Sequence, residues 1–253
     1  MSNSKIAFIT GGSRGLGKDT ALNLAKAGHN IIFTYNSNLE AAQTVAAEIE
    51  GLGQKAAYLQ LNVADISTFD SFTNQFKTIL QATFGADKFD FLINNAGIGR
   101  HAMIGQTDEE TFDLLMNIQF KGVYFLTQAL LPYINDGGSI VNVSTGLTRF
   151  TLPGYAAYAS MKGAIEVFTR YLAKELGNRQ ITANVIAPGA IDNDFNKAAF
   201  THNPQIVDYI ASQTALGRVG QSTDIGKVVN FLTSEDAGWV NGQRVEASGG
   251  MFL

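Results

Sequence analysis

The chain has 253 residues, 45% hydrophobic and 16% charged, which suits one globular domain with a sizeable core. It has no cysteine, which excludes disulfides and thiolate ligands, and a net charge of -4 gives no basic stripe for nucleic acid. No apolar run reaches membrane-spanning length, and Met1-Ser-Asn-Ser-Lys5 lacks the apolar stretch of a signal peptide, so the expectation is a cytoplasmic protein with no membrane or nucleic-acid partner.

Residues 5–10 read as a short buried strand that runs straight into Gly11-Gly-Ser-Arg-Gly-Leu-Gly17, and a helix over 15–28 follows. Glycines at 11, 15 and 17 permit a tight turn and let the backbone approach a pyrophosphate, whose charge meets the free amides of that helix. Further strands are predicted at 30–35, 56–63, 89–94, 139–143, 181–186 and 244–247, with helices at 39–52, 67–83, 108–134, 156–177 and 223–233. Strands separated by helices imply right-handed crossovers and an α/β fold: a doubly wound parallel sheet of about seven strands, flanked by helices on both faces. No linker or second glycine fingerprint interrupts residues 1–253, which read as a single domain. The glycine loop, Asn94-Asn-Ala-Gly97, Ser144-Thr145 and Pro188-Gly189 each follow a strand, so all four gather at the edge where such sheets bind ligands.

Within the helix 156–177, Tyr158 and Lys162 lie four apart and project from one face. A free phenol ionises at about pH 10, and an ammonium held close favours the phenolate, so Tyr158 is expected to exchange a proton with a substrate oxygen near neutrality. His29, His101 and His202 show no paired spacing, and no metal site is expected. Trp239 reads as core or interface.

Taken in order, Thr10-Gly-x-x-x-Gly-x-Gly17, Asn94-Asn-Ala-Gly97, Tyr158-x-x-x-Lys162 and Pro188-Gly189 resemble the short-chain dehydrogenase/reductase family in its compact branch, most of all the 3-oxoacyl carrier-protein reductase type. The likeness spans nearly the whole chain. It implies a Rossmann fold that moves a hydride between nicotinamide and a small-molecule carbonyl or secondary alcohol. By this resemblance Tyr158 is the acid/base, while Lys162 lowers its pKa and binds the nicotinamide ribose. The cofactor would lie along Gly11, Ser13, Arg14, Gly15, Leu16 and Gly17, with Asn95, Ala96 and Gly97 on its adenosine side. Pro188, Gly189 and Ile191 would close its nicotinamide end, together with Asn193 where the family usually carries a threonine. Asn62 replaces an aspartate that often faces the adenine, and the amide of Val63 can serve there too. The family's helix asparagine corresponds to Gln119, which keeps the amide on a longer arm and leaves open whether the family's water relay to the lysine survives. The hydroxyl that polarises the substrate falls on Thr145, with Ser144 one step earlier.

Thr34, Tyr35, Asn36 and Ser37 supply no acid to the adenosine ribose, and Arg14 offers a cation for a 2′-phosphate. NADP(H) is therefore favoured, with NAD(H) the alternative. Tyr155, seven before Lys162, has the spacing of enoyl carrier-protein reductases and provides a second enzymatic reading. A cofactor-binding sensor or scaffold without turnover is a third, because Gln119 and Thr145 both depart from the family. A lid is expected over 190–214, where Phe195, Phe200 and Tyr209 line an apolar pocket or pack the lid helix, and Phe150 and Tyr155 are further pocket aromatics. The apolar faces Leu114, Leu115, Ile118 and Ile165, Phe168, Leu172, with the tail Gly249-Gly-Met-Phe-Leu253, suggest by the same resemblance a homotetramer.

Overall fold

Apolar runs without strict alternation become strands covered on both faces, as the full burial of Ile6, Ala7, Phe8 and Ile9 in β1 (Ile6–Ile9) illustrates. The computed structural model describes residues 4–253, apart from the side chains of Ala198, Ala199, His202 and Pro204. The metal expectation at His202 lies outside the described residues. The other strands are β2 (Asn30–Tyr35), β3 (Ala56–Gln60), β4 (Phe89–Asn94), β5 (Ile134–Val143), β6 (Thr182–Pro188), the short pair β7 (Ile191–Asp192) and β8 (Gly220–Gln221), and β9 (Arg244–Ala247). Seven of them form one parallel sheet in the order β3-β2-β1-β4-β5-β6-β9. The chain direction across the sheet reverses between β1 and β4, which opens a crevice at their carboxyl ends.

The helices are α1 (Gly15–Lys26), α2 (Leu39–Gly51), α3 (Phe69–Ile79), α4 (Glu109–Met116), α5 (Gly122–Leu130), α6 (Ala156–Glu175), α7 (Lys197–His202), α8 (Pro204–Ser212) and α9 (Ser222–Thr233). One face of the sheet packs Phe8, Leu92 and Ile140 on Phe72 and Phe76 of α3, Leu126 of α5 and Leu172 of α6. The other packs Ile9, Phe33 and Val141 on Leu24, Val45 and Val229 of α1, α2 and α9. Among the described residues no helix is long and apolar enough to cross a membrane.

Several expectations change. The helix over 108–134 is split into α4 and α5 by a π-helical turn, Asn117–Lys121, and its end becomes the start of β5, where Ile134 pairs with Phe89. The reason lies in a close approach: a Cβ on Gly122 would sit 2.0 Å from the Val63 carbonyl oxygen, so the helix is pinned against the exit of β3. The helix over 67–83 ends in a second π-helical turn, Leu80–Phe84, and the strand over 56–63 stops at Gln60. The faces Leu115, Ile165 and Leu172 are buried in the chain's own interior. Trp239 is 99% exposed, which removes the core reading and leaves the interface one.

Candidate active site

The glycine loop is held by side chains at the ends of three strands. The Thr10 hydroxyl accepts from the amides of Asn95 and Ala96 at 3.0 Å each, Thr34 accepts from the amide of Gly11 at 3.0 Å, and Asn95 Nδ2 donates to the carbonyls of Thr10 and Gly11. Asn95, expected on the adenosine side, is thus a strut of the loop as well as part of the cavity wall. Thr10 and Thr34 were not foreseen in this role, because their partners lie on other strands. A Cβ on Gly17 would meet the Gly11 carbonyl oxygen at 2.1 Å, and Gly11 and Gly15 adopt φ +66 and +54, so only glycine fits this turn. Arg14 ends the loop without capping α1, and no acid stands in the first turn of that helix, so its leading amides and positive field face the crevice.

From this loop a cavity of about 400 Å³ runs to the segment that carries α7 and α8. Its wall includes Gly11, Ser13, Arg14, Gly15, Leu16 and Gly17, then Tyr35 and Asn36, Asn62 and Val63, and Ala96 and Gly97. Pro188, Gly189, Ile191 and Asn193 close the far side. Ser37 is not on the wall: the chain leaves the sheet after Tyr35 and turns into α2, capped by Asn38, so Ser37 points to solvent. Asn62 accepts from the amide of Ala64 at 3.1 Å, and Asn193 accepts from the amide of Phe195 at 3.0 Å, so both are oriented by their own loops.

Tyr158 and Lys162 come together on α6, 8% and 5% exposed. Lys162 Nζ donates to the Val143 carbonyl at 2.8 Å and lies 5.9 Å from the centre of the Tyr158 ring. Burial pushes the phenol above its ordinary value, opposed by the Thr145 hydroxyl, and pushes Lys162 down to about 7. The expected depression of the phenol by Lys162 is therefore not met. In this buried setting each group is driven toward its neutral form. The consequence for chemistry is direct: Tyr158 holds a proton it can give.

Thr145 Oγ1 accepts from the amide of Leu147 at 3.3 Å and keeps its own proton for the Tyr158 side of the site. Ser144 instead donates to Glu166 Oε1 at 2.7 Å, so its hydroxyl is already engaged. Arg244 donates to the Thr145 carbonyl at 3.0 Å and to Glu166 at 2.9 Å, tying this strand end to β9. Gln119 is fully buried in the π-helical turn; its Nε2 donates to the Ile98 carbonyl, while its Oε1 has no partner and lies toward Gly97. Gln119 thus sits where the long central helix breaks. Below the site, Asn94 donates to Asn142 and Thr127, and Asn142 donates to Thr169, a buried polar ladder across two strands and two helices that sequence reasoning missed.

The lid end is apolar. Phe150, Leu152, Tyr155, Phe195, Phe200 and Ile206 face the cavity, whereas Tyr209 is 53% exposed and outside it. Tyr155 caps α6 and sets its ring edge against His101 at 5.3 Å. Among the described lining residues the cations are Arg14 and Lys162. His29 is packed on Phe91, and burial lowers its pKa. No three His, Asp or Glu converge among the described residues.

A family profile described as Enoyl-(Acyl carrier protein) reductase matches residues 11–252. The 3-oxoacyl-[acyl-carrier-protein] reductase FabG of Staphylococcus aureus (strain N315) is 34% identical, with 100% of each chain covered. The tetrahydroxynaphthalene reductase PfmaG of Pestalotiopsis fici is 36% identical over 97% of this chain and 91% of its own. Among solved structures, the angucycline C-6 ketoreductase LanV with bound NADP superposes with a TM-score of 0.93 at 35% identity, covering 98% of this chain and 96% of LanV. With its glycine loop, its buried tyrosine and lysine on one helix and these full-length matches, the chain belongs to the short-chain dehydrogenase/reductase family.

Proposed function

We propose that this protein is an NADP(H)-dependent reductase of uncharged, largely apolar carbonyl compounds, or the dehydrogenase of the matching secondary alcohols. The observation that carries the reading is one cavity in which a neutral, buried Tyr158 stands beside the Thr145 hydroxyl, at the end of a glycine loop flanked by Arg14. The residues fit the cofactor: a turn only glycine can make, free helix amides for the pyrophosphate, a guanidinium for the 2′-phosphate and no carboxylate on the wall at Tyr35 and Asn36. When bound, NADPH would supply the hydride to the carbonyl carbon. Thr145 donates its free proton as a hydrogen bond to the carbonyl oxygen, and Tyr158 gives that oxygen the proton as charge develops. Lys162 would hold the ribose hydroxyls and the amides of α1 the pyrophosphate, while Gln119, with its unpartnered Oε1, stands at the relay position. The bound NADP of LanV and the reductase names of the relatives support the same reading.

The test is oxidation of NADPH over a panel of cyclic ketones, aldehydes and 3-oxoacyl thioesters, with Tyr158→Phe as blank. The expected outcome is turnover of at least one class, a loss of about a hundredfold or more in Tyr158→Phe with cofactor binding retained, and tighter binding of NADPH than NADH that narrows in Arg14→Ala. A second reading, reduction of a carbon-carbon double bond with Tyr155 as acid, is favoured by the position of Tyr155 on the same wall. It takes over if Tyr155→Phe is the inactive variant. NADPH binding with no oxidation across the panel would make the chain a cofactor-binding sensor. Its assembly is proposed as a cytoplasmic homotetramer, supported by Phe112, Phe125, Val167 and Tyr171, exposed at 42%, 40%, 45% and 63% along α4, α5 and α6, and by the bare Trp239.

A further inference from the structure

The last residues of the chain turn back into the site. Met251 is 3% exposed and lines the cavity, although the other lid-end walls come from residues up to one hundred positions away. Its backbone is gripped from the strand-end loop: Arg149 donates to the Met251 carbonyl at 2.6 Å and to the Phe252 carbonyl at 3.0 Å. The same guanidinium forms a two-pronged pair with Glu246 at 2.7 and 2.8 Å, and lies 5.3 Å from the centre of the Phe150 ring. Glu246 also binds Arg244, which holds the carbonyl of Thr145. On its other side the tail pairs with the end of the lid. The amides of Ala215 and Leu216 donate to Gly250 and Gly249, and that of Phe252 donates to Gln213. Phe252 adopts φ +52, a left-handed conformation unfavourable for a bulky residue, with its ring 4.8 Å from Phe150 and 6.5 Å from Tyr209.

We propose that the carboxyl-terminal segment is a working wall of the substrate pocket: Arg149 clamps it to the Thr145 loop, and Met251 sets how large an uncharged apolar substrate the pocket accepts. This rests on the reading of the lid end as a carbonyl or alcohol site. Met251 is the specificity-determining residue and Arg149 the positioning residue. A strained Phe252 backbone held by hydrogen bonds on both sides shows that the surroundings dictate the path of the tail, and the path delivers the Met251 side chain to the cavity. Arginine suits the clamp because its planar fork reaches a carboxylate and two carbonyls at once, which an ammonium does not.

The experiment reads binding and exchange, so it does not depend on turnover. Calorimetric titration of the full chain with NADP present compares phenol and 1-naphthol, one-ring and two-ring alcohols. Met251→Phe is expected to weaken 1-naphthol at least tenfold relative to phenol, and Met251→Ala to shift that ratio the other way. Arg149→Gln is expected to erase the discrimination while NADP affinity stays within twofold, with Arg149→Lys restoring it in part. Hydrogen exchange of the unliganded chain should show the amides of Ala215, Leu216 and Phe252 opening at least tenfold faster in Arg149→Gln, with those of β1 and β4 unchanged. A ratio unmoved by both Met251 variants, or unchanged exchange in Arg149→Gln, overturns the proposal. Absence of NADPH oxidation on every ketone would count against the reductase reading alone, since the binding ratio is measured separately.

Discussion

At the scale of single residues, the two neighbouring hydroxyls separate cleanly. Ser144 is tied to Glu166, whereas Thr145 keeps a free proton beside Tyr158. Thr145→Ala is therefore expected to lower kcat by about tenfold to a thousandfold, the range for losing one donor at a developing oxyanion, and Thr145→Ser to keep most of it. Ser144→Ala should leave kcat closer to wild type and show a small effect in stability, by removing one donor from Glu166, which keeps Arg244 and Thr148. Steady-state kinetics beside thermal melting decides between the two. Lys162 makes a separate prediction about pH. Its folded pKa, about 7, lies below its ordinary 10.5, so between those values the unfolded chain binds a proton that the folded chain lacks. Unfolding then takes up a proton, and the stability of the cofactor-free protein should rise from about pH 7 to about pH 10. Lys162→Met should remove that rise; urea denaturation at stepped pH measures it, and an identical slope in both proteins would show that Lys162 does not carry it. Tyr158 adds nothing in this window, because its shift acts only where a free phenol ionises, at about pH 10 and above.

At the scale of elements, the π-helical turn is the feature that links the long central helix to the cleft. It buries Gln119 toward Gly97 and brings Gly122 onto the Val63 carbonyl. Gly122→Ala is expected to destabilise the fold by at least about 2 kcal/mol, since the obstacle is backbone and cannot rotate away. A shift in urea midpoint with an unchanged slope would measure this, and an unchanged midpoint would mean the helix can lift. Strand and helix positions were legible in the sequence because burial patterns and glycine turns are local signals. The Tyr158 and Lys162 pair was legible because its spacing is one helical turn. The direction of the tyrosine shift was not, since it depends on how completely the cleft excludes water, which no spacing reports. Neither were the struts of the glycine loop at Thr10 and Thr34, nor the Arg149 clamp, whose partners stand about a hundred residues away in sequence. Ser37 lies off the wall for a simpler reason: two residues past the end of β2 the chain has already turned toward α2.

At the scale of the whole molecule, half of the apolar residues picked from the pattern of 108–134 and 156–177 are buried and the rest half-buried, and a different set is left bare. Phe112, Phe125, Val167 and Tyr171 stand outside the core while Leu115, Ile165 and Leu172 fill it. Light scattering at micromolar concentration should give about four times the 27.2 kDa chain mass, and Tyr171→Glu should lower it by disrupting an isologous contact. A monomer in wild type would show that these faces have no partner copy. The parallel sheet carries one more consequence, in time. Arg244 and Glu246 on β9 complete the hold on the Thr145 loop, and the segment after them closes the pocket. On a ribosome these residues emerge after the other strands of the main sheet. A nascent chain can thus assemble its nucleotide-binding half early, while the half that handles substrate waits for β9 and the segment after it, so the protein gains its shape before its chemistry.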